Sequence, residues 1–303
     1  MKTLLLGSAG QLGRDLTSVL PGELVSLTRT DADLATPGSL AAVVNAHAPD
    51  AVVNCAAYNL VDQAEAEPEV AFAVNAWAVR ELASACRDVG AKLVHVSTDQ
   101  VFGLDPSRTH PYAEDDAPGP VSVYGLSKLV GEYVARTLAP KHLVVRTCGL
   151  YGLRGARGKG RNFVETMLRA ADQGKPLRVV NDQRCTPSAT KDVAATIAAL
   201  MAAGAVGLFH ATNAGSCTWY ELAAEIFRQS GVTADLSPCR TAERTDPAKR
   251  PSYSVLSIAK LATVGVSAPR PWQDALGAYL NERRNRPASS YGYADLLDEG
   301  DMG

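Results

Sequence analysis

The first half of the chain alternates short apolar runs with segments of helical periodicity. Five runs are apolar throughout rather than at every second residue, and they lie at 3–6, 23–28, 51–54, 92–98 and 142–147. Between them, apolar residues recur at helical spacing near 11–20, 38–47, 67–89 and 121–139. Strands that are apolar on both faces are typical of parallel sheets covered by helices on both sides. The pattern therefore predicts a doubly wound, Rossmann-type α/β fold.

After residue 150 the alternation becomes less regular. Helices are predicted near 162–174, 190–203, 218–230 and 271–284, with short strands at 177–180 and 207–210. We expect residues 1–150 to form a dinucleotide-binding Rossmann domain to which some later segments return. Residues 151–286 are expected to form mainly a smaller C-terminal α/β lobe that binds substrate. The last segment, 287–303, is acidic and has little to bury, so we expect a disordered tail.

A glycine motif lies at the first strand–helix junction. Gly7, Gly10 and Gly13 have the spacing G-x-x-G-x-x-G, and Gln11 and Leu12 lie between the last two. Glycines at these places allow a tight turn, close approach of the backbone to a pyrophosphate, and close packing of helix on strand. The helix N-terminus also attracts an anion. The spacing alone is also compatible with a simple packing turn, but its position favours a dinucleotide-binding site formed by these five residues.

The end of the second strand bears on the choice of cofactor. An acid commonly stands there in NAD enzymes and binds the ribose hydroxyls, whereas this chain has Thr28 and Arg29. A cation at that place suits the 2′-phosphate of NADPH, although Asp31 and Asp33 follow and NADH remains possible. We expect Asp33 to reach the adenine amino group and Leu34 to lie in the same site. The alternative for Arg29 is a solvated loop cation.

A tyrosine and a lysine share one face of the helix predicted at 121–139. Tyr124 and Lys128 are four residues apart, about one helical turn. The preceding strand ends at Ser97 and Thr98, on the edge where open α/β sheets bind ligands. Carbonyl reduction needs a proton donor, and a nearby ammonium is expected to lower the pKa of the phenol toward neutrality. We therefore predict Thr98, Tyr124 and Lys128 as catalytic residues, with Ser97 beside the cofactor.

Composition limits the other classes of function. The 303 residues carry a net charge of −2, with no basic surplus for nucleic acid and no apolar run long enough for a membrane span or a signal peptide. Six cysteines occur without any C-x-x-C pair, which argues against zinc and against a disulfide framework. We expect a cytoplasmic enzyme. His95, inside the fourth strand, is expected to be a satisfied core histidine.

Over residues 1 to 284 the sequence resembles the dTDP-4-dehydrorhamnose reductase (RmlD-like) family of the extended short-chain dehydrogenase/reductase superfamily. The motifs that carry the resemblance are GSAGQLG (7–13), DAVVNCAAYNLVDQAEAEPEVAFAVNA (50–76), HVSTDQVF (95–102), VYGLSKLVGE (123–132), RTCGLYG (146–152), GKGRNFVETM (158–167), NDQRCTPS (181–188), TWYELA (218–223) and RPSYSVL (250–256).

The resemblance implies an NADPH-dependent reductase of a 4-keto-6-deoxy nucleotide-sugar, with Thr98, Tyr124 and Lys128 as its catalytic set and a possible homodimer. It places four further residues around the cofactor: Ala56, Ala57, Tyr58 and Asn75. It assigns the nucleotide-sugar side to Asn162, Phe163, Trp219 and Arg250, with Asp99 and Gln100 beside the sugar. For Trp219 a core position, and for Asp99 a turn at the strand end, remain alternatives.

Three departures from the family pattern fall where the sugar is expected. Gln100 and Gly149 replace a tyrosine and a tryptophan that members acting on rhamnose precursors typically carry, and CTPS (185–188) replaces GAPT. Some members hold a divalent metal at a dimer contact, but the likely acid position is Lys191 here, so no metal is predicted. The resemblance therefore implies the cofactor and the reaction type more strongly than the identity of the sugar.

Two other functions remain open. A nucleotide-sugar dehydratase or epimerase is one, although a 4,6-dehydratase often has an Asp-Glu pair after the threonine, and Gln100 cannot transfer protons. A non-catalytic NADP-binding regulatory subunit, like the one that partners methionine adenosyltransferase, is the other. The intact Thr98, Tyr124 and Lys128 argue against the second.

Overall fold

A six-stranded parallel sheet forms the centre of the molecule. The structure is a computed structural model that describes residues 1–153 and 162–285. In spatial order the strands are β10 (Gly207–His210), β5 (His142–Thr147), β4 (Lys92–Thr98), β3 (Ala51–Asn54), β1 (Lys2–Leu6) and β2 (Glu23–Leu27). Every pairing in this sheet is parallel. The predicted doubly wound fold is confirmed.

Helices cover both faces of this sheet. One face packs against α2 (Ser39–His47), α4 (Ala78–Val89) and α5 (Val123–Leu138), and the other against α1 (Gln11–Val19) and α7 (Thr190–Ala202). Alternate residues of one strand serve the two cores: Leu4 belongs to the first and Leu5 to the second. Because both faces are covered, nearly all positions of β1, β3, β4 and β5 are buried and most are apolar, while the edge strand β2 is partly exposed.

The strand at 207–210 belongs to this sheet and helix α7 packs against it, although both follow residue 150 in the chain. Strand β10 pairs with β5, and α7 packs beside α1. Their neighbours in sequence build a separate lobe, so the chain crosses between the two parts more than once. The lobe has its own core around α6 (Phe163–Asp172), α8 (Trp219–Ser230) and α9 (Trp272–Arg284).

Short strand pairs complete the lobe and its junction with the sheet. They are β6 (Leu150–Tyr151) with β9 (Ser188–Ala189), β7 (Leu177–Val180) with β12 (Leu236–Cys239), and β8 (Arg184–Cys185) with β11 (Cys217–Thr218). The expected tail at 287–303 and residues 154–161 lie outside the described residues. No helix in the described ranges has both the length and the apolar character needed to cross a membrane.

The helix predicted at 67–89 runs without a break from Pro68 to Val89, but its middle turn is π-helical. It consists of α3 (Pro68–Phe72), a π-helical segment at Ala73–Trp77, and α4. A π-helical turn rotates the residues that follow it and is frequent at functional sites. Here it contains Asn75, whose position is described below.

Candidate active site

A cleft of about 900 Å³ lies at the carboxyl ends of the strands, between the sheet and the lobe. It is lined by residues from both parts of the molecule. Of the residues predicted from the sequence, the following line it: Gly7, Gly10, Gln11, Leu12, Gly13, Arg29, Asp33, Leu34, Ala56, Ala57, Tyr58, Ser97, Thr98, Asp99, Gln100, Tyr124, Lys128, Asn162, Phe163, Trp219 and Arg250. The predicted cofactor, catalytic and substrate groups therefore meet in one cavity.

The glycine turn at one end of the cleft has no room for side chains. Gly7 has a φ of +76°, and a Cβ there would lie 2.8 Å from the backbone nitrogen of Ala56. A Cβ on Gly13 would lie 2.2 Å from the Gly7 carbonyl oxygen. Both contacts are with backbone, which cannot swing aside as a flexible side chain can. The turn therefore brings the start of α1 directly against β1 and the segment after β3.

The N-terminus of α1 opens into the cleft at this turn. Its N-cap is Gly10, so no side chain caps the free amides of the first turn. An uncapped, glycine-lined helix start fits the pyrophosphate of a dinucleotide, because the amides and the helix dipole both favour an anion. Gln11 is directed toward the lobe, where its Oε1 accepts from the Gly152 amide at 2.9 Å and from Asn162 Nδ2 at 3.3 Å.

At the other end of the cofactor region, Arg29 follows β2 with its side chain 78% exposed. Its Nε lies 3.2 Å from Asp33 Oδ2, and the other Asp33 oxygen accepts from the Ala35 amide at 3.0 Å. The Ala35 amide is the main reason that the pKa of Asp33 is lowered. Asp33 thus pairs with Arg29 and closes the local turn, and its predicted contact with adenine stays a prediction. The exposed guanidinium suits a phosphate group on the ribose.

Asn75 is the one predicted cofactor residue that is not on the cleft wall. It is buried behind Tyr58, where its side chain accepts from the Tyr58 amide at 3.0 Å and donates to the Tyr58 carbonyl at 2.9 Å. It also donates to Ser127 Oγ at 3.0 Å. Asn75 therefore fixes the wall segment of residues 56–58 to helix α5.

Helix α5 carries Tyr124 and Lys128 toward the tip of β4. Ser122 caps the helix by accepting from the Gly125 amide at 3.1 Å. Gly125 allows α5 to approach the end of β4 closely, since a Cβ there would lie 2.2 Å from the carbonyl oxygen of Gln100, just after β4. Tyr124 and Lys128 are both buried and both reach the cleft.

The predicted lowering of the Tyr124 pKa is wrong for this structure. Burial raises the pKa of Tyr124 to about 12, while a hydrogen bond with Thr98 acts in the opposite direction and the charge of Asp99 adds to the rise. Lys128 Nζ points instead to the carbonyl oxygen of Val96 on β4, at 2.7 Å. Burial also weakens the ammonium itself, because it lowers the pKa of Lys128 to about 8.

Thr98 is held by the residues that follow it. Its hydroxyl donates to Asp99 Oδ1 at 3.1 Å and accepts from the Gln100 amide at 3.2 Å. The other Asp99 oxygen accepts from Ser254 Oγ at 2.5 Å and Cys148 Sγ at 3.0 Å. Burial raises the pKa of the Asp99 carboxyl against these hydrogen bonds. Both oxygens of Asp99 are thus used within the protein, and its predicted role at the sugar stays a prediction.

Sequence reasoning gave no role to Cys148 or Ser254. Each lies inside a motif of the family pattern, RTCGLYG and RPSYSVL, but 49 and 155 residues from Asp99. Both side chains are small and neither forms part of a periodic pattern, so composition and periodicity gave no signal. Only the fold shows that both donate to Asp99.

The lobe contributes an aromatic pair to the cleft. Asn162 caps α6 by accepting from the Glu165 amide at 3.0 Å, which places Phe163 at the first helical position. Thr218 and Glu221 form a capping box that starts α8 at Trp219. The rings of Phe163 and Trp219 lie 4.9 Å apart, so the two helix starts form one aromatic wall.

Arg250 faces the cleft but is already paired. It donates to both carboxylate oxygens of Asp62 at 2.9 Å, and to the Ala248 carbonyl at 2.9 Å. Asp62 belongs to the segment after β3, so this ion pair ties the lobe to the sheet. The predicted contact of Arg250 with the nucleotide-sugar stays a prediction.

The departures at the sugar end have structural consequences. Gln100 Oε1 is buried without a hydrogen-bond partner in the described parts of the chain. Gly149 has a φ of +54°, and a Cβ there would lie 3.1 Å from the Cα of Pro187. A residue with a side chain at position 149 is therefore strained in this backbone. Lys191 forms an ion pair with Glu282 at 2.6 Å, and residues 1–153 and 162–285 contain no cluster of metal-ligating side chains.

Comparison with known proteins identifies the family. A family model described as "RmlD substrate binding domain" matches residues 1–285. A dTDP-4-dehydrorhamnose reductase of Streptomyces griseus is 41% identical over 90% of this chain and 91% of its own length. A dTDP-4-keto-6-deoxy-D-glucose reductase of Streptomyces niveus is 40% identical over 90% of this chain and 94% of its own.

A solved structure agrees with these relatives. The crystal structure of dTDP-4-dehydrorhamnose reductase from Bacillus anthracis, in complex with NADP, superposes with a TM-score of 0.87 at 34% identity, covering 93% of this chain and 99% of that one. The expected family is confirmed: this chain belongs to the RmlD-like dTDP-4-dehydrorhamnose reductase family of extended short-chain dehydrogenases/reductases.

Proposed function

We propose that this protein is an NADPH-dependent reductase of the 4-keto group of a 4-keto-6-deoxy nucleotide-sugar. The observation that carries the proposal is the convergence of Thr98, Tyr124 and Lys128 with the glycine turn in one cleft. NADP in the Bacillus anthracis relative and the exposed Arg29 favour NADPH over NADH.

In this reaction Tyr124, Thr98 and Lys128 have separate roles. NADPH supplies the hydride when it is bound. The Tyr124 hydroxyl transfers its proton to the sugar oxygen, so that C=O becomes CH–OH. A phenol with a pKa of about 12 is fully protonated at neutral pH and is still a much stronger acid than the alcohol that it produces. Thr98 orients the carbonyl oxygen, and the Lys128 ammonium stabilises the phenolate that Tyr124 leaves behind.

The sugar is less well defined than the reaction. The two relatives above are almost equally similar to this chain, and their names differ in the sugar that is reduced. We propose dTDP-4-dehydrorhamnose as the first substrate, with dTDP-rhamnose as the product. Because Gln100 and Gly149 alter the sugar end of the cleft, dTDP-4-keto-6-deoxy-D-glucose is the comparison substrate.

The geometry favours a reductase over the alternatives. A dehydratase needs a further acid and base beside the hydride site, whereas both oxygens of Asp99 are engaged and Gln100 cannot exchange protons. A purely regulatory cofactor-binding protein has no need of a buried tyrosine and lysine that both reach the cleft.

The test is the oxidation of NADPH, followed by absorbance, with each keto-sugar in turn and NADH in parallel. The matched variant is Tyr124→Phe, which keeps the ring and removes the proton donor. We expect turnover with NADPH that falls roughly 10²- to 10⁴-fold in the variant. Cofactor binding without turnover on either sugar would reject the proposed substrate class and favour the regulatory function.

A further inference from the structure

A buried ion pair lies one helical turn beyond the catalytic lysine. Glu132 on α5 is fully buried and binds the guanidinium of Arg146 on β5 through two hydrogen bonds, Nε to Oε1 at 2.8 Å and a terminal NH2 to Oε2 at 2.7 Å. Ser97 Oγ also donates to Oε1, at 2.6 Å. Three donors therefore hold one carboxylate in the core, beside the strand tip that carries Thr98.

The stability of the protein does not by itself account for this buried ion pair. Removing two charges from water carries a desolvation penalty that often cancels their attraction, so buried ion pairs contribute little to stability compared with apolar residues. One terminal nitrogen of Arg146 is buried without a hydrogen-bond partner in the described parts of the chain, and the guanidinium lies over the Phe102 ring at 4.9 Å. Packing alone does not explain why a carboxylate stands here.

The negative charge of the Glu132 carboxylate favours the charged form of its neighbour Lys128. The residue is 2% exposed, and its ammonium donates to the neutral carbonyl of Val96. Burial disfavours the ammonium, and the negative charge of Glu132 is the largest influence that opposes it. The two residues are four apart on α5, so their side chains lie on the same helix face.

The other titratable groups facing Lys128 do not supply this charge. Cys55, after β3, has its pKa raised to about 12 by burial and is a neutral thiol at physiological pH. His95 on β4 is neutral as well, because burial and the Lys128 charge lower its pKa well below the usual value. The expected core position of His95 is confirmed, but it is only partly satisfied: its Nδ1 contacts Asn54, whereas its Nε2 lacks a partner in the described chain.

We propose that Glu132 is a positioning residue that keeps the buried Lys128 ammonium charged in the active site. Arg146 and Ser97 hold the carboxylate in place, and the carboxylate in turn favours the cation that Tyr124 needs when it loses its proton. The catalytic consequence rests on the proposed function, but the electrostatic relation between Glu132 and Lys128 does not.

The test is a direct titration of Lys128 by NMR in protein without cofactor or substrate. Lysines carrying ¹³C at the ε-methylene are followed from roughly pH 6 to 11, and the Lys128 signal is assigned by its loss in Lys128→Arg. In Glu132→Gln, the lysine loses its attractive partner and faces an Arg146 that is no longer neutralised. We expect its pKa to fall by about one to two units, from a Coulomb interaction across one turn at an effective dielectric constant near 20.

Two further variants make the result decisive. Glu69→Gln removes an exposed carboxylate from α3 with the same change of net charge, and it should leave the Lys128 titration unchanged. Glu132→Gln combined with Arg146→Met removes the pair as a unit, which folded proteins often tolerate. It should still lower the Lys128 pKa, and it replaces the single variant if that one does not fold.

An unchanged Lys128 titration in Glu132→Gln, or in the double variant if only that one folds, would overturn the proposal. If the protein reduces a keto-sugar, the basic limb of kcat/KM should move to lower pH by the same amount, because the ammonium is then lost earlier as pH rises. If no keto-sugar is reduced, the titration still decides the role of Glu132 separately from the proposed function.

Discussion

Alanine substitutions at two glycines of the same turn should affect different properties: Gly13→Ala the stability of the protein, and Gly10→Ala mainly the binding of the cofactor. A Cβ at Gly13 would lie 2.2 Å from the Gly7 carbonyl oxygen and 2.8 Å from the Cα of Ser8. The helix must therefore move away from the strand by about 1 Å or more to restore ordinary van der Waals distances. A Cβ at Gly10 would be 3.2 Å from the same oxygen, at a φ of −74° that any residue adopts.

We expect Gly13→Ala to lower the free energy of unfolding by about 2–3 kcal/mol, because overpacking a rigid backbone contact typically costs about 1–3 kcal/mol. Gly10→Ala should cost below about 1 kcal/mol, the usual difference between residues at an N-cap. It should nevertheless raise the Kd for NADPH by about tenfold or more, equal to about 1.4 kcal/mol. The methyl group that Gly10→Ala introduces lies where the pyrophosphate is expected to approach the helix.

Urea unfolding followed by circular dichroism measures the free energy of unfolding, and NADPH fluorescence titration of the folded protein measures the Kd for NADPH. A wild-type urea midpoint for Gly13→Ala would show that the turn is not packed as described. A wild-type Kd for Gly10→Ala would show that the dinucleotide does not cross the N-terminus of α1.

Two further substitutions probe buried polar groups. Asn75→Ala should destabilise the protein by roughly 2–4 kcal/mol in urea unfolding, because it leaves the Tyr58 amide and carbonyl without partners; a loss below about 1 kcal/mol, the level of an ordinary single hydrogen bond, would contradict that account. His210→Gln should reduce the dependence of stability on pH. Burial lowers the pKa of His210 from 6.5 to about 3, so the unfolded chain binds the extra proton between these values and stability falls as pH falls through that window. The slope from this one group is at most about 1.4 kcal/mol per pH unit, and equal slopes for variant and wild type in urea titrations at several pH values would refute it.

The sequence was sufficient to predict the parallel sheet and the glycine turn at the start of α1. Strands β1, β3, β4 and β5 are buried on both faces and are therefore mostly apolar, and that pattern is visible without any tertiary information, whereas the edge strand β2 is partly exposed. The glycine turn was equally readable, since close backbone packing excludes every other residue at Gly7 and Gly13. Local chemistry and local spacing determine such features.

Periodicity did not reveal where the chain changes its local geometry. The segment 67–89 reads as one amphipathic helix, yet it contains a π-helical turn at Ala73–Trp77. The turn places Asn75 in contact with Tyr58 and Ser127, and those bonds form only once α5 has packed beside it. Likewise, the apolar run at 207–210 gave no indication that it would join the main sheet beside β5.

The electrostatics of the site depended most strongly on the tertiary structure. The sequence determined that Tyr124 and Lys128 share a helix face, and it suggested that the lysine acidifies the phenol. Burial decided the actual direction of both pKa shifts, and burial is a property of the packed molecule rather than of the spacing. The partners of Asp99 and Glu132 come from distant strands and loops, because desolvated carboxylates are stabilised by whichever donors the fold brings within hydrogen-bond distance.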